Sequence, residues 1–149
     1  MAETALNIAQ YILGYFQQKG EPISNLKLQK LLYYSQAWHL ALYDGLPLFE
    51  EEVEAWVHGP VVPCVFRRYK AYRWSWIQEQ IAPFWLEPKV VAHVNEVLDA
   101  YGNLSAWDLE RMTHNELPWK EARGNLPPDE SSNVIISRQS MQKFYSQIP

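Results

Sequence analysis

The run Ser24-Asn25-Leu26-Lys27-Leu28-Gln29-Lys30-Leu31-Leu32-Tyr33-Tyr34-Ser35-Gln36-Ala37-Trp38-His39-Leu40-Ala41-Leu42-Tyr43 decides the fold class. Ser24 is placed to cap a helix N-terminus, and Ile23 and Leu28 occupy the two positions of a hydrophobic staple. Asp44-Gly45 closes the segment. Leucine, alanine, tyrosine and tryptophan occur around most of its girth, too broadly for one surface stripe. A helix apolar on most sides sits inside a domain. The expected architecture is therefore mainly α (α+β), packed around a central helix over 24–43.

Upstream, Leu6, Ala9, Leu13 and Phe16 recur at helical spacing, with Ala5 and Ile12 beside them, and Gly20 with Pro22 ends that helix. Downstream the period changes. Glu52-Val53-Glu54-Ala55 alternates like a strand with one buried face, although glutamate also suits a helix. His58-Gly59-Pro60 turns the chain, and Pro63 opens a short helix. Residues 71–88 hold Trp74, Trp76, Phe84 and Trp85 among two prolines and read as a short helix or loop. A helix over 88–101 ends at Gly102. Ser105 caps another, Pro118 opens a brief one over 119–123, and Ser137 caps the last. Asn133-Val134-Ile135-Ile136 is a strand candidate. The sum is six or seven helices with a two- or three-stranded β element. There is no internal repeat and no linker, so 1–149 reads as one domain.

Composition narrows the function classes. The chain has 149 residues, enough to bury a core without disulfides or metal. No apolar run approaches a membrane span, and the start Met1-Ala2-Glu3-Thr4 lacks the pattern of a signal peptide. A single cysteine suits a reducing cytoplasm, which is the expected location. Seventeen acidic against thirteen basic residues give a net charge of −4, which argues against nucleic acid as first partner. Seven Trp, nine Tyr and five Phe are more than most domains carry. Such rings fill cores, and they also dominate protein interfaces.

Catalytic constellations are thin. His39, His58, His93 and His114 show no zinc spacing, and no metal or other cofactor is expected. Cys64 reads as a small buried apolar group. Glu50, Glu51, Glu52 and Glu54 read as the solvated face of an edge strand. No phosphate loop, dinucleotide fingerprint or nucleophile elbow occurs. The segment Arg67-Arg68-Tyr69-Lys70-Ala71-Tyr72-Arg73-Trp74-Ser75-Trp76 interleaves arginine with aromatics. That mixture stacks single-stranded bases, forms interface hot spots, or lays arginine stems over buried rings. Net acidity favours a protein partner over nucleic acid.

Three stretches, taken in order, carry a resemblance. They are Leu26-Lys27-Leu28-Gln29-Lys30-Leu31-Leu32-Tyr33-Tyr34, Glu54-Ala55-Trp56-Val57-His58-Gly59-Pro60-Val61-Val62-Pro63 and Thr113-His114-Asn115-Glu116-Leu117-Pro118-Trp119, with Gly45-Leu46-Pro47-Leu48-Phe49 between the first two. The set resembles the Panacea antitoxin domain, also called SocA-like, of phage-associated proteins. The resemblance implies a non-enzymatic antitoxin that neutralises a co-encoded toxin by direct binding, with a place in phage defence. Its runner-up is a proteolytic adaptor that hands the toxin to a cellular protease. An enzyme using His58, His114 or Cys64 is a further alternative, and a nucleic-acid binder through 67–76 is the weakest. A homo-oligomer is left open, and no membrane partner is expected. The chain is expected to be close to the bare domain, without autonomous operator binding.

Beside the resemblance, Lys27, Leu28, Lys30, Leu31, Trp56, His58, Gly59, Pro60, Thr113, His114, Pro118 and Trp119 read as fold-defining. Within that set Leu28 and Leu31 pack in the core, while Lys27 and Lys30 are expected at the surface together with Gln29. The toxin-contact residues expected are Arg67, Tyr69, Arg73, Trp74, Trp76 and Trp85.

Overall fold

The leucine- and tyrosine-rich run forms α2 (Asn25–Leu42) at the centre of a computed structural model that describes residues 2–148. Met1 and Pro149, the two ends of the expected domain and the first residue of the leader reading, lie outside the described residues. The Ser24 hydroxyl accepts from the Lys27 N–H at 3.2 Å, so the cap forms as read. Asp44 and Gly45 take positive φ and end the segment. Leu28, Leu31, Leu32, Tyr33, Tyr34, Ala37 and Leu40 are all buried, and the helix contacts α1 (Ala5–Gln18), α4 (Pro88–Tyr101), α5 (Ala106–His114) and α7 (Arg138–Ser146). Around it also stand α3 (Pro63–Arg68) and α6 (Leu117–Arg123). The fold is mainly α with a small β element, as the patterning predicts.

That β element is an antiparallel pair, β1 (Glu54–Trp56) and β2 (Gly59–Val61), with Ala55 opposite Pro60. The alternation reads correctly: Val53 and Ala55 are buried, while Glu52 is exposed. The helical option for the glutamate run is not taken. The third strand expected at 133–136 reduces to one antiparallel bridge. Ala55 donates to the Val134 carbonyl and Ile136 to Val53, each at 2.8 Å. Ser137 then caps α7, which leaves no room for a longer strand.

A buried polar cluster pins α7 to α2. The hydroxyls of Tyr34 and Tyr145 both donate to Glu116 Oε1, at 2.7 and 2.8 Å, and the Tyr33 and Tyr145 hydroxyls lie 3.0 Å apart. Burial raises the Glu116 carboxyl above the usual range despite those two donors. The glutamates of 50–54 are likewise used locally. Glu51 accepts the Ala5 N–H at the start of α1, Glu50 and Glu52 face Arg138, and Glu54 takes the Trp56 indole N–H. Among the described residues no helix is long and apolar enough to cross a membrane.

Candidate functional site

Helix α2 holds the β element by its polar side chains. Asn25 Nδ2 donates to the Phe66 carbonyl at 3.0 Å, and Gln29 bridges Asn25 Oδ1 and the Val62 N–H, both at 2.9 Å. At the next residue, Lys30 Nζ donates to the Pro60 carbonyl at 3.1 Å. Further along, Gln36 exchanges hydrogen bonds with the backbone of Leu48 and Phe49. Gln29 and Lys30, expected at the surface, are therefore buried completely, and Lys27 is half-buried with its Nζ on the Gly102 carbonyl at 2.7 Å. The physical reason is that α2 is covered on nearly every side. Its polar groups serve as partners for loop backbone that would otherwise be buried unsatisfied.

Lys30 shows what this costs. Full burial pushes its ammonium down to about 7, against a favourable influence from Glu110. An unfolded lysine keeps its proton to about 10.4, so between those values the unfolded chain holds more protons. Stability therefore climbs as pH rises through that window. Lys30→Met keeps the volume and removes the titration. The stability gap between Lys30→Met and wild type is expected to narrow by up to about 1.4 kcal/mol per pH unit between roughly pH 7.5 and 9.5. Urea unfolding at several pH values measures it, and parallel pH profiles for the two proteins would refute it.

The third motif closes the same region. Trp119 Nε1 donates to the Trp56 carbonyl at 2.8 Å, and the His114 ring stacks on Trp119 at 4.0 Å. The Arg123 guanidinium lies 4.9 Å from the Trp119 ring centroid and donates to the carbonyls of Ala55, Pro127 and Glu130. Burial lowers the His114 pKa, as it does those of His39 and His93. The familiar motifs thus meet one another inside the fold.

Their outer side forms a cleft of about 700 Å³. Leu26, Trp56, Val61, Phe66 and Trp74 give it an apolar lining, and His58, Lys70 and Arg73 stand with them. His58 Nδ1 is 3.3 Å from a Glu110 carboxylate oxygen, and its ring meets Trp74 edge-on with centroids 5.8 Å apart. A second hollow of about 430 Å³ adjoins it, lined by Leu26, Lys27, Trp74 and Trp76 among others. Trp74 and Leu26 belong to both. Arg73 has φ +55° and ψ −118°, a strained backbone for a residue with a side chain, at the step before Trp74.

Of the expected contact residues, Trp74, Trp76 and Trp85 are 71%, 56% and 77% exposed. Arg67 is also exposed. Arg73 and Trp74 line the large cleft and Trp76 the smaller, whereas Arg67 and Trp85 line neither. Tyr69 is a correction: its ring is fully buried under the Arg68 guanidinium, so it presents no surface. It falls on the inner side of α3's C-terminus, where one residue per turn must face the core. Sequence reasoning did not single out Phe66, held Lys70 only within the basic-aromatic segment 67–76, took Trp56 as fold-defining, and read His58 as fold-defining or, in the enzyme alternative, catalytic. Trp107, exposed on α5 with the Arg111 guanidinium 4.6 Å from its ring, was also missed. A tryptophan next to charged residues on a short amphipathic helix was the available signal.

Cys64 is exposed rather than buried as expected, because it lies in the first turn of α3, on its outer side. Partial burial and the nearby Glu51 raise its thiol pKa, the opposite of activation. Among the described residues Cys64, His58 and His114 do not hydrogen-bond one another, and no three His, Cys, Asp or Glu side chains converge as metal ligands.

Comparison with known proteins agrees with these motifs. Over 64 residues the chain is 50% identical to the antitoxin SocA of Caulobacter vibrioides (strain NA1000 / CB15N), a stretch covering 43% of this chain. It spans only 34% of that relative's length. No solved structure matches. The family model for the antitoxin SocA-like, Panacea domain matches residues 28–120, from Leu28 on the buried face of α2 to Lys120, just past the tryptophan that grips β1. Because that match takes in well over half of the chain, the protein belongs to the SocA-like Panacea antitoxin family.

Proposed function

We propose that this protein is an antitoxin that neutralises a co-encoded toxin by direct contact, without making or breaking a bond. Family membership supports the antitoxin role. The observation that carries the contact surface is Trp74. It stands largely in solvent between two hollows, beside a strained arginine. Unlike the lone exposed rings of Trp85 and Trp107, Trp74 is continuous with the apolar lining of both hollows, and contiguous apolar, aromatic surface of that kind marks an interaction site. Trp76 and Arg73 extend that surface. The buried motif residues position the β element and its turn beneath it.

The experiment is co-expression with the product of the adjacent reading frame. The frame expressed alone is expected to stop growth, and the pair is expected to grow and to co-purify as a complex. A toxin whose half-life is unchanged in the pair indicates masking, while a collapsing half-life indicates delivery to a protease. Growth arrest that this chain does not relieve would refute the proposal.

A further inference from the structure

The chain is acidic overall, with a net charge of −4, yet the charged side chains lining the large cleft are cationic. Lys70 and Arg73 are exposed on its rim, and among the described residues neither has a carboxylate within ion-pair distance. Two acids of this region, Glu54 and Glu110, have partners already. Glu54 takes the Trp56 indole N–H at 2.8 Å and Glu110 faces His58. Asn25 and Gln29 in the wall are consumed by the bonds that hold α3 and its N-cap residue Val62. What remains on offer is an apolar, aromatic hollow edged by unpaired positive charge. A ligand matching it needs a large apolar group and carboxylates together.

Resting on the antitoxin reading, we propose that this cleft takes an extended acidic segment of the toxin. An aromatic or large aliphatic side chain of that segment fills the hollow, and its flanking carboxylates pair with Lys70 and Arg73. A nucleic-acid strand fits less well, since two full cations on an acidic protein neutralise few phosphates. A second copy of this chain also fits less well. Its acidic run at 50–52 is engaged, Glu50 and Glu52 with Arg138 and Glu51 with the start of α1, which leaves only the short exposed pair Asp129-Glu130 as a matching acidic segment.

The test pans a display library of random twelve-residue peptides on the full chain, with counter-selection on Trp74→Ala. The enriched peptides are expected to carry two or more Asp or Glu around Phe, Trp or Leu. Their affinity is expected to fall at least about tenfold on Lys70→Glu and on Trp74→Ala, and to weaken as salt rises. Four results would overturn the proposal: no enrichment, neutral or basic winners, tighter binding of a fifteen-nucleotide oligothymidylate through the same residues, or self-association through this face. Lys70→Glu in the co-expression assay separates the two ideas. Full protection by Lys70→Glu sinks the acidic segment and spares the antitoxin, whereas failure of the wild type to protect sinks the antitoxin.

Discussion

Trp74→Ala is expected to weaken toxin binding about 100-fold while shifting the thermal unfolding midpoint by no more than about 2 °C. The two numbers come from separate physics. In the free protein the Trp74 side chain is 71% exposed, and its ring meets His58 edge-on. Its removal therefore opens no core cavity, and exposed substitutions usually stay within about 0.5 kcal/mol. In the complex the same ring loses its water. Central tryptophans at interfaces typically contribute about 2–4 kcal/mol on truncation, and a factor of 100 corresponds to about 2.7 kcal/mol. Trp76→Ala and Arg73→Ala are expected to act in the same direction more weakly. Trp107→Ala is the control. It removes another largely exposed ring, 62% in solvent, from α5 outside both hollows, and is expected to leave binding unchanged. Titration of the purified toxin against each variant measures the ratio. A large drop in unfolding temperature for Trp74→Ala would mean that the ring supports the fold and that the contact surface lies elsewhere. Tyr69→Ala marks the opposite case: it empties a core position and is expected to lower stability by several kcal/mol, as buried aromatic truncations do.

Gly59→Ala is expected to destabilise the protein by about 3–5 kcal/mol. Gly59 has φ +104°, and a Cβ built there would lie 2.6 Å from Lys30 Cε and 3.0 Å from Thr113 Oγ1. Lys30 has nowhere to retreat, because it is fully buried with its Nζ on the neighbouring Pro60 carbonyl. Backbone strain and steric overlap therefore add. Gly124 supplies the comparison, with φ +59° and nothing within 4 Å of the added atom. Gly124→Ala is expected to cost only the conformational part, about 1–2 kcal/mol. Urea unfolding of both variants gives the difference. Equal losses would show that Lys30 and Thr113 do not crowd the turn.

The third testable feature, the pH-dependence attached to Lys30, belongs to the same corner of the molecule. A lysine, a glycine and a threonine from three of the familiar stretches occupy one another's space there. This explains why those stretches are recognisable only as an ordered set. Lys30 has its meaning only beside Gly59 and Pro60, and Trp119 only beside the Trp56 carbonyl.

Local chemistry made several features readable in advance. Ser24, Ser105 and Ser137 cap their helices because a hydroxyl three residues before a free N–H suffices. Val53 and Ala55 turn inward because side chains alternate along a strand. On α1 the stripe was nearly right, but Leu6 is only half-buried while Ile8, passed over, is fully buried. A helix faces whatever packs on it, and the neighbours decide where the stripe is centred.

The sequence by itself determined a helical domain built on 24–43, its caps and turns, its family, and a run of exposed-type aromatics after α3. Those follow from periodicity, capping and composition, which act over a few residues. Only the tertiary structure decided that Lys30 and Gln29 are interior partners of the β element, that Tyr69 turns inward while Trp74 turns out, and that Lys70, Arg73, Trp56 and Phe66 share one cleft. Burial, charge pairing and cleft shape depend on residues far apart in the chain, and no local pattern encodes which of them will meet.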